Sequence, residues 1–250
     1  MINYKYITFA FLIITFYCLN CEKTTGPDMP DSYYDLQTLQ MEIEGKTLFY
    51  STAIHNSYYS SNDSIPLILA LHYGSAPYDY FGRDFLYTFI LPAMKSLKAI
   101  MVAPVSPVNG SWANYTSETM VMALIDSIKL KYRIDNTRIA VTGFSMGGIG
   151  TWYFAARQPG VFSAAIPVSG MPPQNTLEDI SESRIPIYVI HSKDDEIFDY
   201  NDVKEVVTNL QSRGMDIELN TVSGVSHYKT DEFIKPLSKS VPWLENKWGK

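Results

Sequence analysis

The sequence predicts an α/β fold, a mostly parallel sheet with helices on both faces, from three observations. Short apolar runs suited to buried strands occur at Pro66–His72, Lys98–Ala103, Arg138–Thr142, Phe162–Val168 and Ile185–Ile190, separated by segments of helical length. Two of the intervening segments carry apolar residues at helical spacing: Val121, Leu124, Ile125, Ile128 and Tyr132 in one, and Val203, Val206, Val207 and Leu210 in the other, with Gly214 placed to end it. The run Ile139-Ala140-Val141-Thr142 leads directly into Gly143-Phe144-Ser145-Met146-Gly147 and then into an unbroken helical stretch to Arg157. Strands alternating with helices in this way form a parallel sheet, and such sheets take ligands at the carboxyl ends of their strands.

The N-terminal residues differ in kind from the rest. Lys5 precedes an apolar run from Ile7 to Tyr17, followed by Cys18-Leu19-Asn20-Cys21-Glu22-Lys23. Residues 1–20 read as an export signal, because the run falls short of the roughly 20 apolar residues that a membrane-spanning helix needs. Cys21 resembles the lipid-modified cysteine of bacterial lipoproteins, with an ordinary cleaved signal or a retained anchor as the alternatives. Residues 21–35 then form a tether, since Thr24–Tyr34 is rich in Pro, Asp and Ser. A single domain follows over 36–250, without a cysteine for a disulfide. The expected location is outside the cytoplasm, with the membrane reached only through a lipid on Cys21.

Leu39 to Ile54 alternates around Glu44-Gly45-Lys46, which predicts an antiparallel hairpin at a sheet edge. The 250 residues, 46% hydrophobic, suffice for one large core. A net charge of -6 with scattered Lys and Arg argues against a nucleic-acid partner. The chain has no H-x-x-H pair for zinc, no G-x-G-x-x-G and no P-loop, so neither a metal nor another cofactor is expected.

The chemistry begins at Ser145. A serine between a strand and a helix, flanked by Gly143 and Gly147, is a nucleophile elbow: the turn strains its backbone, and the flanking residues must lack side chains so that strand and helix can approach. Its hydroxyl needs a base. Of four histidines, His55 lies in the hairpin and His72 and His191 close strands, whereas His227 lies in a loop beyond the last strand and is the expected base. The acid that orients it is expected from His191-Ser192-Lys193-Asp194-Asp195-Glu196, with Asp195 first and Asp194 in reserve; Asp194 and Glu196 otherwise read as solvated surface. The order Ser145, Asp195, His227 is that of one fold among those that host this triad. An oxyanion needs two backbone N–H donors: Met146 supplies one, and Gly74, or Tyr73 in its place, the other. His72 reads as a support of that loop.

From about Pro66 onward the chain resembles α/β-hydrolases of the esterase branch that includes feruloyl and acetylxylan esterases, dienelactone-hydrolase-like enzymes and polyhydroxyalkanoate depolymerases. The segments that carry the resemblance are LILALHYGS, YRIDNTRIAVTGFSMGGIGTW, IHSKDDEIF and GVSHY. It implies a central sheet of about eight strands and a metal-free serine esterase mechanism through Ser145, Asp195 and His227. Two positions depart from the family pattern: Tyr73 and Ser192 stand where glycine is usual.

The substrate expected is an ester, and because an exported esterase meets extracellular polymers, a plant-wall glycan ester with a feruloyl or acetyl group. Tyr73, Tyr80, Trp112 and Phe198 are the candidate substrate contacts, with Tyr78, Phe81 and Tyr115 nearby; the same aromatics could instead be core under the loops. Three rivals accompany this reading. They are a serine peptidase of the prolyl-oligopeptidase type, a glycan-binding surface lipoprotein on a degenerate hydrolase scaffold, and an intracellular-type dienelactone hydrolase, whose nucleophile is usually cysteine where this chain has Ser145.

Overall fold

The computed structural model describes residues 33–108 and 111–249. The export segment, Cys21 and most of the tether lie outside them. Eight strands form one sheet in the order β1-β2-β4-β3-β5-β6-β7-β8. They are β1 Tyr34–Ile43, β2 Lys46–His55, β3 Ile65–Leu71, β4 Ile100–Pro104, β5 Ile134–Phe144, β6 Ala164–Val168, β7 Ile187–Ser192 and β8 Ile217–Val222. The predicted edge hairpin is present. β1 pairs with β2 from Tyr34↔His55 to Ile43↔Lys46, around Glu44 and Gly45, both at positive φ. β2 is also antiparallel to β4, and every other pairing is parallel. β5 begins four residues before the expected Arg138, because Ile134 pairs with Ile65 across an irregularity in β3.

The central strands are apolar on both faces because both faces are covered. Leu67, Leu69 and Leu71 of β3 and Ile139 and Val141 of β5 pack into one core; Ile68, Ala70 and Ala140 between them pack into the other. The first core takes Val121, Leu124, Ile125 and Ile128 from the helix Tyr115–Lys131 and Val203, Val207 and Leu210 from the helix Tyr200–Ser212. Asn114 caps the former, its side-chain oxygen accepting the Ser117 N–H at 2.9 Å; Gly214, at φ 78°, follows the latter. The second core is closed by the helical segment 81–97 and by the C-terminal helices Ile234–Ser238 and Ser240–Lys247. Among the described residues no helix is long and apolar enough to cross a membrane.

Candidate active site

β5 is central in the sheet, and its carboxyl end delivers Ser145 to the first turn of the helix Met146–Arg157. Ser145 has φ 55° and ψ -114°, a strained backbone for a residue with a side chain. Its N–H donates to the Val168 carbonyl at 2.9 Å, and its carbonyl accepts the Ile149 N–H at 2.9 Å, so both sides of the turn are held. The flanking glycines are required by close approach. A Cβ on Gly147 would collide with the carbonyl oxygen of Leu71 in β3, and one on Gly143 would lie 2.5 Å from the Gly147 oxygen.

The other two predicted residues come from the loops that follow β7 and β8, strands paired with each other but not with β5. His227 Nε2 lies 2.9 Å from Ser145 Oγ, and His227 Nδ1 lies 2.8 Å from Asp195 Oδ2. The carboxylate makes Nδ1 the protonated nitrogen, which leaves Nε2 free to accept the serine hydroxyl proton. The Asp195 side chain is fully buried and that of His227 is 6% exposed. Burial alone would raise the Asp195 carboxyl; hydrogen bonds from His227 and from the Phe198 and Ile197 N–H groups, both 2.9 Å from Oδ1, outweigh it and hold the carboxyl below its ordinary value. Asp194, the reserve, faces elsewhere: its Oδ2 accepts the Gly224 N–H at 2.6 Å.

The loop after β3 meets the elbow from the other side. A Cβ on Gly74 would lie 3.8 Å from that of Met146. His72 supports this loop as expected: Nε2 accepts the Ser106 N–H at 2.9 Å, so Nδ1 carries the proton and donates to the Tyr73 carbonyl at 2.7 Å. Burial pushes the His72 pKa down to about 4, only partly offset by the bond to Tyr73. Met146 is the first residue of its helix, where a backbone N–H has no intrahelical acceptor.

Aromatic rings wall the imidazole. Phe144, Phe198 and Tyr228 lie 5.4, 5.6 and 5.7 Å from the His227 ring, and Tyr73 packs edge-on to Phe81, Phe85 and Phe144. Phe198 thus packs beside the imidazole and Tyr73 beside Phe144, and Tyr228 was not foreseen.

One expectation changes. Trp112 is not a substrate platform: it is 1% exposed, packed in the core, with Nε1 donating to the His72 carbonyl at 2.9 Å. Tyr80 places its ring against the Arg83 guanidinium, 4.9 Å away, while it is Tyr78 that stacks on Phe81 and so joins Tyr73. Asp194 and Glu196, read as solvated surface, are exposed and in addition accept hydrogen bonds from the His227 loop; no pattern in a single sequence distinguishes an exposed acidic side chain that also reaches a neighbouring loop from one that faces water alone. Among the described residues no group of three or more His, Cys, Asp or Glu side chains is arranged to hold a metal ion.

Protein usf of Aquifex pyrophilus is 29% identical over 110 residues, 44% of this chain and 47% of that protein. The bifunctional acetylxylan esterase/xylanase XynS20E of Neocallimastix patriciarum is 29% identical over 93 residues, 37% of this chain and 14% of that one. The chain thus spans less than half the length of either relative. A solved ferulic acid esterase superposes with TM-score 0.71 at 15% identity, covering 86% of this chain and 98% of that one, a likeness of fold. The model of the dienelactone hydrolase family matches residues 109–234, the half of the 250-residue sequence that contains Ser145, Asp195 and His227, and the chain belongs to that family.

Proposed function

We propose that the protein is a serine carboxylic ester hydrolase. The observation that carries the reading is the continuous relay from Asp195 through both nitrogens of His227 to Ser145 Oγ, at 2.8 and 2.9 Å, on a residue whose backbone is strained to present it. Ser145 attacks the ester carbonyl while His227 takes its proton; the imidazolium, stabilised by Asp195, then protonates the leaving alcohol. Water deprotonated by His227 attacks the acyl-enzyme, and collapse of that second intermediate releases the acid and frees Ser145.

The Met146 N–H and a donor from the 73–74 loop stabilise the oxyanion. Gly74 is favoured over Tyr73 because the Tyr73 carbonyl is tied to His72, and across a trans peptide the Gly74 N–H points the opposite way. The ester is a feruloyl or acetyl ester of a plant-wall glycan. The rings of Phe198 and Tyr228 beside the His227 imidazole, with Tyr73 against Phe144, support an aromatic acyl group, and the names of the acetylxylan esterase relative and of the ferulic acid esterase neighbour point the same way. Such polymers lie outside the cell, in keeping with export and a lipid on Cys21.

Hydrolysis of aryl acetates, methyl ferulate and a matched anilide by the protein and by Ser145→Ala tests this. Turnover of the esters by the parent alone is expected. Silence on every ester, or turnover of the anilide at a comparable rate, would refute the esterase reading.

A further inference from the structure

His227 belongs to a loop, 223–228, that follows β8 and makes neither strand nor helix bonds of its own. Its polar groups are met, one after another, by the loop that follows β7. The two strands end in register, with Ser192 opposite Val222 and the Lys193 N–H donating to the Val222 carbonyl at 2.9 Å. Beyond that point side chains continue the ladder. Ser192 Oγ donates to the Val225 carbonyl at 2.6 Å and accepts the Asp194 N–H at 3.1 Å. Asp194 accepts the N–H of Gly224, a residue at φ 76°, Asp195 holds the His227 ring, and Glu196 Oε2 accepts the His227 N–H at 2.8 Å.

We propose that Ser192, Asp194 and Glu196 form, with Asp195, one clamp that fixes the backbone on either side of His227 and keeps its Nε2 aligned on Ser145, which makes Glu196 and Ser192 positioning residues of the reaction. This rests on the esterase reading above. Asp195 by itself holds the ring at one nitrogen and leaves the main chain that carries the ring free to shift; Glu196 removes that freedom at His227 itself. Displacement of a reacting group by about 1 Å is enough to cost on the order of a hundredfold in rate. Glu196 is exposed, so its hydrogen bonds add little to global stability. Bonds to the Ser226 hydroxyl and then to the His227 N–H hold its carboxyl below the ordinary value, consistent with an ionised acceptor facing this loop. Ser192, where the resembling enzymes usually have glycine, supplies a buried anchor that glycine lacks.

The test compares the parent with Glu196→Ala, Glu196→Gln and Ser192→Gly by kcat and KM on an aryl acetate, by thermal midpoint, and by hydrogen exchange of the peptide covering 223–229. Glu196→Ala is expected to lower kcat about ten- to a hundredfold with KM and the midpoint nearly unchanged, and to speed exchange at the His227 amide. Glu196→Gln, whose amide oxygen still accepts that N–H, should recover most of both losses, and Ser192→Gly should lower kcat in the same sense. Parental kcat and exchange in Glu196→Ala, a Gln variant as impaired as Ala, or a kcat loss matched by general unfolding would each overturn the clamp. If the parent hydrolyses no ester, the esterase reading fails, and the exchange measurement decides whether the clamp exists.

Discussion

Trp112 Nε1 donates to the carbonyl of His72 at 2.9 Å, joining the segment before the helix Tyr115–Lys131 to the end of β3. The indole lies edge-on to the His72 ring at 5.0 Å, and its Cβ fills the space that a side chain on Gly150 would need. Trp112 therefore supports the floor of the loop after β3 from within the core. Trp112→Ala is expected to destabilise the fold by about 3–5 kcal/mol, the usual range for removal of a buried aromatic. Urea unfolding reads this directly; parental stability with a raised KM would return Trp112 to the substrate pocket.

Gly147→Ala should be more damaging than an Ala substitution in an ordinary helix. Its methyl group would overlap the Leu71 carbonyl, so either the helix Met146–Arg157 or β3 must move. A loss of about 1–3 kcal/mol, typical of overpacking, is expected together with loss of most of the ester turnover, because the same movement displaces Ser145. Gly160→Ala, where a Cβ meets nothing, is the control.

His72 makes stability depend on pH in the mildly acidic range. Its folded pKa of about 4 lies below the ordinary 6.5, so between those values the unfolded chain binds more protons than the native one. Stability should therefore fall as pH drops from 6.5 toward 4. His191, lowered chiefly by burial, acts in the same direction. In His72→Gln the free energy of unfolding should vary less steeply with pH over this interval; a slope equal to the parent's would show that the imidazole is not neutral in the fold.

Asp195→Asn should retain the fold and lose about 10⁴-fold in kcat, since an amide can present its N–H to Nδ1 and favour the wrong imidazole tautomer. The depressed carboxyl pKa of Asp195 has a second consequence. Its ionised form, and the stability that it brings, is present above the ordinary 3.8 and is lost only as pH falls through the lower folded value. Loss of activity at pH 5 therefore should not arise from protonation of Asp195; NMR of the Asp195 carboxyl carbon should still report the ionised form at that pH, and a protonated carboxyl there would refute this.

The parallel sheet was legible in the sequence because burial on both faces leaves continuous apolar runs, as in Leu67–Leu71 and Ile139–Val141. The triad was legible for a different reason: Ser145 sits in a local turn whose glycines are demanded by nearby backbone, and few histidines and strand-end acids were available to serve it. By itself the sequence determined the fold class, the strained turn at Ser145 and the chain order of Ser145, Asp195 and His227. Only the tertiary structure decided which aromatics are core and which face the site, as with Trp112 and Tyr228, and brought Ser192, Asp194 and Glu196 within hydrogen-bond reach of the His227 loop. The physical reason is range. Strand burial and elbow sterics write periodic or local patterns into the chain, whereas a hydrogen bond between loops about 30 residues apart depends on the pairing of β7 with β8 and leaves no local pattern in the sequence.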